Sequence, residues 1–124
     1  MVVLKGARTI VAAPDGSVAA APFENPALAS GGTGDVLAGT IGALLAQGLT
    51  PVAAARLGVY LHGLAGEAVR SRLGDAGLLA SDLVEELPYA RKRLAAVRAT
   101  QGGRRVGFGA PKAGPDEPAS ASTR

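Results

Sequence analysis

The chain has 124 residues, 48% of them hydrophobic and only 3% aromatic, which is material for one modest domain whose Ala- and Gly-rich helices can approach closely. No apolar stretch approaches the roughly 20 residues of a membrane span, the amino terminus lacks a signal-peptide layout, and the absence of cysteine excludes a disulfide framework and a thiolate metal site. The net charge of +3 is unevenly placed: residues 1–90 hold five basic and eight acidic side chains and residues 91–124 hold eight and two, and without interleaved aromatics that basic end is a solvated surface, not a nucleic-acid site.

In chain order, "VVLKG" (residues 2–6) and "TIVAAP" (residues 9–14) are short apolar runs closed by Gly and Pro, and both read as strands, the first buried on both faces. "PDGS" (residues 14–17) has the composition of a tight turn, so "VAAAPF" (residues 18–23) is expected to return as a third strand.

From Gly34 the period changes. Val36, Leu37, Thr40, Ile41, Leu44 and Leu45 repeat at helical spacing, and Gly48 suits the residue just beyond a helix end. Thr50 and Pro51 are a cap and a first helical residue, and Leu57, Leu61, Leu64, Ala65 and Ala68 form the buried stripe of a second helix to about Leu73. "GDAGLLAS" (residues 74–81) reads as a loop whose Ser81 caps a third helix. There Asp82, Glu85 and Glu86 come early and Arg91, Lys92, Arg93 and Arg98 late, matching the helix dipole, while Pro88 is expected to kink or restart the helix. Residues 101–124, rich in Gly, Pro, Ala and Ser, cannot bury enough apolar surface to offset their ordering entropy and read as a disordered tail behind a folded unit of residues 1–100.

The stretch "SGGTGD" (residues 30–35) stands directly before the first helix. A helix amino terminus exposes unpaired N–H groups at the positive end of its dipole, and glycines let a ligand come close to them. Gly31, Gly32, Thr33 and Gly34 thus suit an anion such as phosphate. A carboxylate repels phosphate, so Asp35 makes chemical sense as a base that takes a proton from a hydroxyl attacking phosphorus. It also makes sense as a mere dipole partner in the first turn, with the glycines forming a plain turn. The stretch is neither a Walker A loop, which needs a Lys after its last Gly, nor a dinucleotide G-x-G-x-x-G.

Over roughly residues 2–94 the chain resembles the ribokinase-like superfamily and, within it, the ADP/ATP-dependent NAD(P)H-hydrate dehydratases. "NPALASGGTGDVLAG", "VLKGART", "YLHGLAGE" and "LLASDLVEELP" carry the resemblance. It implies a three-layer α/β/α fold, of which this chain is expected to be a carboxy-terminal portion with few strands and about three helices. It implies repair of NADH and NADPH hydrated at the nicotinamide ring: ADP or ATP, with Mg²⁺, phosphorylates the new hydroxyl, and loss of phosphate restores the cofactor. Carried over, Asp35 contacts the hydrate and acts as base, Gly31, Gly32, Thr33 and Gly34 cradle the phosphoryl group, Lys5, Gly6, Ala7, Arg8 and Thr9 line the nucleotide site, and Asn25 opens the nucleotide-binding loop. No acidic cluster defines a protein-held metal.

The same resemblance implies a small-molecule substrate and a homo-oligomer in the complete family enzyme; the cysteine-free composition fits a reducing cytoplasm, and the charge and apolar patterns predict no nucleic-acid or membrane partner. The alternatives are a ribokinase-like kinase of a vitamin precursor and a nucleotide-binding fragment without catalysis. Plainer roles suit other residues: Lys5 can be a solvated strand end, His62 a packed or locally hydrogen-bonded side chain, and Glu67 and Asp82 cap or surface charges. "GLAGE" (residues 63–67) offers small residues for close helix packing.

Overall fold

The computed structural model describes residues 1–102. Three short strands, β1 (Val2–Leu4), β2 (Ile10–Ala12) and β3 (Val18–Ala20), form an antiparallel meander in the order β1-β2-β3. Val3 pairs with Val11 and Val11 with Ala19. A 3₁₀ turn (Pro26–Ala29) then leads to three helices, α1 (Thr33–Ala46), α2 (Pro51–Leu73) and α3 (Ala80–Gly102). The expected α/β arrangement of few strands followed by three helices is what is found.

The turn between β2 and β3 forms where Pro, Asp and Gly predict it. Asp15 Oδ1 accepts the Ser17 N–H at 2.9 Å, and Gly16 takes a φ of +83°. β1 departs from expectation: Val2 and Leu4 are 60% and 62% exposed. Among the described residues β1 is the edge of the sheet, and a three-residue apolar run does not itself distinguish an edge from an interior strand.

The helix boundaries follow their caps. Thr50 Oγ1 accepts the Ala53 N–H at 3.4 Å and Pro51 opens α2. Gly48, at φ +91°, reverses the chain after α1 while the Leu49 N–H reaches back to the Leu44 carbonyl. α3 begins at Ala80, two residues earlier than the Ser81 cap predicts. Asp82 Oδ2 accepts the Leu79 N–H at 2.8 Å, so a carboxylate reaching back from inside the helix does the capping. Leu78, expected in a surface loop, is 2% exposed and belongs to the core. α3 runs on through Pro88 as one helix to Gly102, and residues 103–124 of the predicted tail lie outside the described residues.

Two apolar clusters hold these elements together. Ala27, Leu61, Ala65, Val69, Leu78, Leu83 and Ala90 join the 3₁₀ turn, α2 and α3. Val11, Leu37, Ala55 and Val59 join the sheet to α1 and α2. Fully burying a side chain such as Leu83 contributes about 1.5–3 kcal/mol. Glu86 adds a polar link across α2 and α3, with Arg72 Nη2 at 3.3 Å and Arg93 Nη2 at 3.7 Å.

α2 is central because its glycines admit neighbours. A Cβ on Gly58 would stand 2.6 Å from Ile41 Cγ1 of α1, and one on Gly66 would stand 2.8 Å from Leu28 Cδ2. A Cβ on Gly63 would run into the Phe23 ring. The small residues of "GLAGE" are therefore core positions as expected: Gly63 and Gly66 receive the segment before α1, while Ala65 lies in the cluster shared with α3. That close approach carries the 3₁₀ turn and the glycine turn onto the α2 surface.

Candidate active site

The site is built where the segment after β3 turns into α1. Asn25 caps the 3₁₀ turn, its Oδ1 accepting the Ala27 N–H at 2.9 Å. Ser30 ends that turn, and Gly32, with φ +83°, sits at the N-cap of α1 with no side chain to cap it. A side chain disfavours this left-handed geometry, and a Cβ on Gly32 would also approach Ala80 Cβ to 3.1 Å.

The backbone donors of this turn divide in two. The Thr33 N–H reaches the Ser30 carbonyl at 3.4 Å, and the Asp35 and Val36 N–H groups both reach the Gly32 carbonyl at 3.1 Å. The N–H groups of Gly31, Gly32 and Gly34 donate to no protein acceptor among the described residues, and all three glycines are exposed. Asp35 is exposed in the same first turn. Three unspent donors at the positive end of a 14-residue helix, beside one carboxylate, can receive an anion and a hydroxyl together.

Thr33 faces the other way. Its residue is fully buried, and its Oγ1 lies 2.7 Å from the Leu28 carbonyl and 2.9 Å from that of Ser30. The hydroxyl braces the turn from within, and Thr33 offers the outside no side-chain donor.

Lys5, at the end of β1, reaches the same turn. Its Nζ donates to the Leu28 carbonyl at 2.6 Å, and its Cδ lies 3.7 Å from where a Gly34 Cβ would be. Beside it is an open hollow of about 470 Å³ lined by Lys5, Gly6, Ala7, Asn25, Pro26 and Leu28. A narrower cleft of about 20 Å³, room for about one water, adds Thr9, Phe23 and His62.

Asn25 is 6% exposed and lines both spaces, and its Nδ2 has no partner among the described residues. A buried amide left without an acceptor is a donor awaiting a ligand or a water. Arg8 does not join them: it pairs with Glu24 at 3.5 Å on the surface, with the two side chains 64% and 63% exposed, a contact worth about 1 kcal/mol at most. The structure thus gathers Lys5, Gly6, Ala7 and Asn25 around one hollow, with Thr9 in the narrower cleft beside it, and joins the hollow through Lys5 to the Gly31–Gly34 turn, with Arg8 outside.

His62 is the residue whose contact the sequence does not disclose. It is 3% exposed on α2, and its Nε2 lies 2.9 Å from the Thr33 carbonyl. Burial pushes its pKa below the ordinary value of 6.5, against an opposing effect of the Thr33 hydrogen bond and with a smaller push downward from the Lys5 charge. The sequence shows a lone histidine in an apolar stripe; only the fold brings it to a residue 29 positions away. Among the described residues, no three His, Asp or Glu side chains come together as a metal-binding group, and no helix is long and apolar enough to cross a membrane.

A small sheet leading through a glycine turn into packed helices, with a carboxylate in the first helical turn, places the chain among α/β proteins of the ribokinase-like fold. The family model described as NAD(P)H-hydrate dehydratase matches residues 1–89, and the chain belongs to that family.

It is 48% identical over 94 residues to the bifunctional NAD(P)H-hydrate repair enzyme Nnr of Moorella thermoacetica, covering 76% of this chain and 18% of that one. It is 44% identical over 94 residues to the ADP-dependent (S)-NAD(P)H-hydrate dehydratase of Neisseria meningitidis serogroup B, covering 75% of this chain and 32% of that one. Among solved structures it resembles the ADP/ATP-dependent NAD(P)H-hydrate dehydratase of Bacillus subtilis, co-crystallised with ATP and Mg²⁺ and soaked with CoA. There the TM-score is 0.70 at 43% identity, covering 73% of this chain and 34% of the other. The chain therefore spans about a third or less of the length of these relatives.

Proposed function

We propose that this chain supplies the nucleotide cradle and the catalytic base of an ADP- or ATP-dependent dehydratase that returns hydrated NADH and NADPH to their reduced forms. The observation that carries this is the turn itself: three free N–H groups, from Gly31, Gly32 and Gly34, beside Asp35. The family match and the relatives named for this reaction support the substrate.

Lys5, Gly6, Ala7 and Asn25 take the nucleotide in the hollow beside β1, with Thr9 in the adjoining cleft, and the ammonium of Lys5 and the unpartnered Nδ2 of Asn25 suit phosphate or ribose oxygens. Mg²⁺, which the Bacillus structure was grown with, suits these residues as the nucleotide's own counterion, held through phosphate and neutralising its charge. Asp35 takes the proton of the hydrate hydroxyl as that oxygen bonds to the terminal phosphorus, and the bond from phosphorus to the nucleotide oxygen breaks. The Gly31–Gly34 donors stabilise the charge on the transferring group. Loss of inorganic phosphate from the ring, with a proton from the neighbouring carbon, restores the double bond of the dihydronicotinamide. A cytoplasmic setting and homo-oligomeric assembly go with this reading, in keeping with the cysteine-free composition and the family resemblance.

The test is a chimera in which residues 1–94 replace the matching segment of the Neisseria meningitidis dehydratase. Recovery of dihydronicotinamide absorbance from hydrated NADH with ADP is expected, and Asp35→Asn in the chimera lowers turnover by roughly 10²–10⁴ while ADP binding survives. A chimera that folds and binds ADP yet restores no NADH counts against the reading.

A further inference from the structure

His62 is the only histidine of the chain, is 3% exposed, and stands on α2 among Leu61, Leu64 and Ala65. Packing alone would be served by leucine, and burying an imidazole carries a desolvation cost that leucine avoids. What the ring adds is a donor. Its Nε2 lies 2.9 Å from the Thr33 carbonyl oxygen, and a carbonyl only accepts, so the proton is on Nε2 and Nδ1 is bare.

The Thr33 carbonyl is the other end of the peptide unit that carries the Gly34 N–H. A trans peptide is planar, with C=O and N–H pointing in opposite directions. Whatever fixes the Thr33 oxygen therefore fixes the direction of the Gly34 N–H, one of the three unspent donors of the turn.

In a regular helix that oxygen accepts only the bond from four residues on, which frays readily in a first turn opened by glycine. Thr33 Oγ1 braces the preceding residues, at Leu28 and Ser30, and does not hold this peptide unit.

We propose that His62 is a positioning residue: donating from Nε2 to the Thr33 carbonyl, it clamps the Thr33–Gly34 peptide plane and aims the Gly34 N–H at the bound anion. The inference rests on reading the turn as a phosphate cradle, so its test separates the two.

In the 124-residue chain, His62→Gln keeps an amide donor that can reach the Nε2 position, whereas His62→Leu fills the space and donates nothing. Affinity for ADP with magnesium, measured by calorimetry, should fall about tenfold in the leucine variant and stay within about threefold of wild type in the glutamine variant, the difference a directed hydrogen bond makes. A residue that only packs would give the reverse order, since leucine suits an apolar stripe better than glutamine.

Gly34→Val, whose side chain would stand in front of the free N–H groups, reports on the cradle alone: unchanged ADP affinity there removes the cradle. The clamp is then read without nucleotide. The ¹⁵N signals of the single imidazole should show the Nε2–H tautomer, and the Gly34 amide cross-peak should move in the leucine variant and return in the glutamine variant. If the leucine variant fails to fold, the tautomer and the glutamine variant decide. The Nδ1–H tautomer, or a Gly34 amide indifferent to both substitutions, overturns the proposal.

Discussion

Thr33→Val separates an internal brace from a ligand donor. The substitution keeps size and branching and puts a methyl group in place of the hydroxyl, which lies 2.7 Å from the Leu28 carbonyl and 2.9 Å from the Ser30 carbonyl in a fully buried residue. One hydroxyl has one proton, so one full hydrogen bond is lost. Neither carbonyl is orphaned: Leu28 keeps Lys5 Nζ at 2.6 Å, and Ser30 keeps the Thr33 N–H at 3.4 Å. The penalty for an unsatisfied buried group does not apply, and the loss is that of one ordinary hydrogen bond, about 1 kcal/mol. In a domain of this size such a loss lowers the melting temperature by about 4–8 °C.

Thermal unfolding followed by circular dichroism measures that shift, and Thr33→Ser should recover the hydrogen-bonding share of it. ADP affinity should fall by no more than about threefold, because the side chain points away from the free N–H groups; a directed bond to phosphate is worth about tenfold. A Thr33→Val protein as stable as wild type that binds ADP tenfold more weakly would refute the inward assignment and return the hydroxyl to the phosphate.

Three further outcomes follow from the packing and the charges. Gly32→Ala forces a side chain into φ +83° and against Ala80 Cβ at 3.1 Å, and should cost about 1–2 kcal/mol in urea unfolding; a loss below a few tenths would show that the turn relaxes freely. Gly63→Ala drives a methyl group into the Phe23 ring, which lies 5.2 Å from the Tyr60 ring, and should cost about 1–3 kcal/mol; an unchanged unfolding midpoint would mean that the Phe23 segment is not seated on α2.

His62 makes stability depend on pH. Its folded pKa lies below 6.5, so below that pH the unfolded chain binds the proton first. Its contribution is complete above about pH 6.5 and is lost as pH falls from there through the lowered folded value, at no more than about 1.4 kcal/mol per pH unit. Urea midpoints measured across that window should fall for wild type and stay level for His62→Gln over the same range. Equal slopes for the two proteins would place the titration elsewhere.

The local signals proved the legible part of this fold. Thr50, Pro51 and Gly48 mark helix ends through bonds that span a few residues, so the sequence displays both partners together. The same holds for the glycine turn before α1, where residue type alone points to exposed N–H groups and a nearby carboxylate. Ser81 misled because Asp82, one position later, makes the stronger acceptor for the Leu79 N–H, and either residue is a plausible cap when read in isolation. The exposure of β1 was hidden for another reason. Val2, Val3 and Leu4 have the same composition whether a strand lies at an edge or in an interior, and pairing is a property of the whole sheet. The His62–Thr33 contact was illegible because it depends on how α2 lies across α1.

The relation between "KGART" and "SGGTGD" shows what the fold adds to two motifs that read separately. Lys5 Nζ and Thr33 Oγ1 converge on one acceptor, the Leu28 carbonyl. The turn can sit there because Gly66 of α2 admits the Leu28 side chain, and Gly63 admits Phe23 ahead of it. An ammonium has three N–H donors, and Lys5 spends one on Leu28, so it can hold the turn and still offer two to an anion. That makes Lys5 the joint between the hollow beside β1 and the free donors beside Asp35. Removing its charge should therefore act on both at once, loosening the turn through Leu28 and withdrawing positive charge from the phosphate. Lys5→Met, which keeps the aliphatic stem over Gly34, should weaken ADP binding about tenfold or more and also lower the melting temperature. If affinity falls with stability untouched, Lys5 serves the nucleotide alone, and the bond to Leu28 carries no weight in the folded chain.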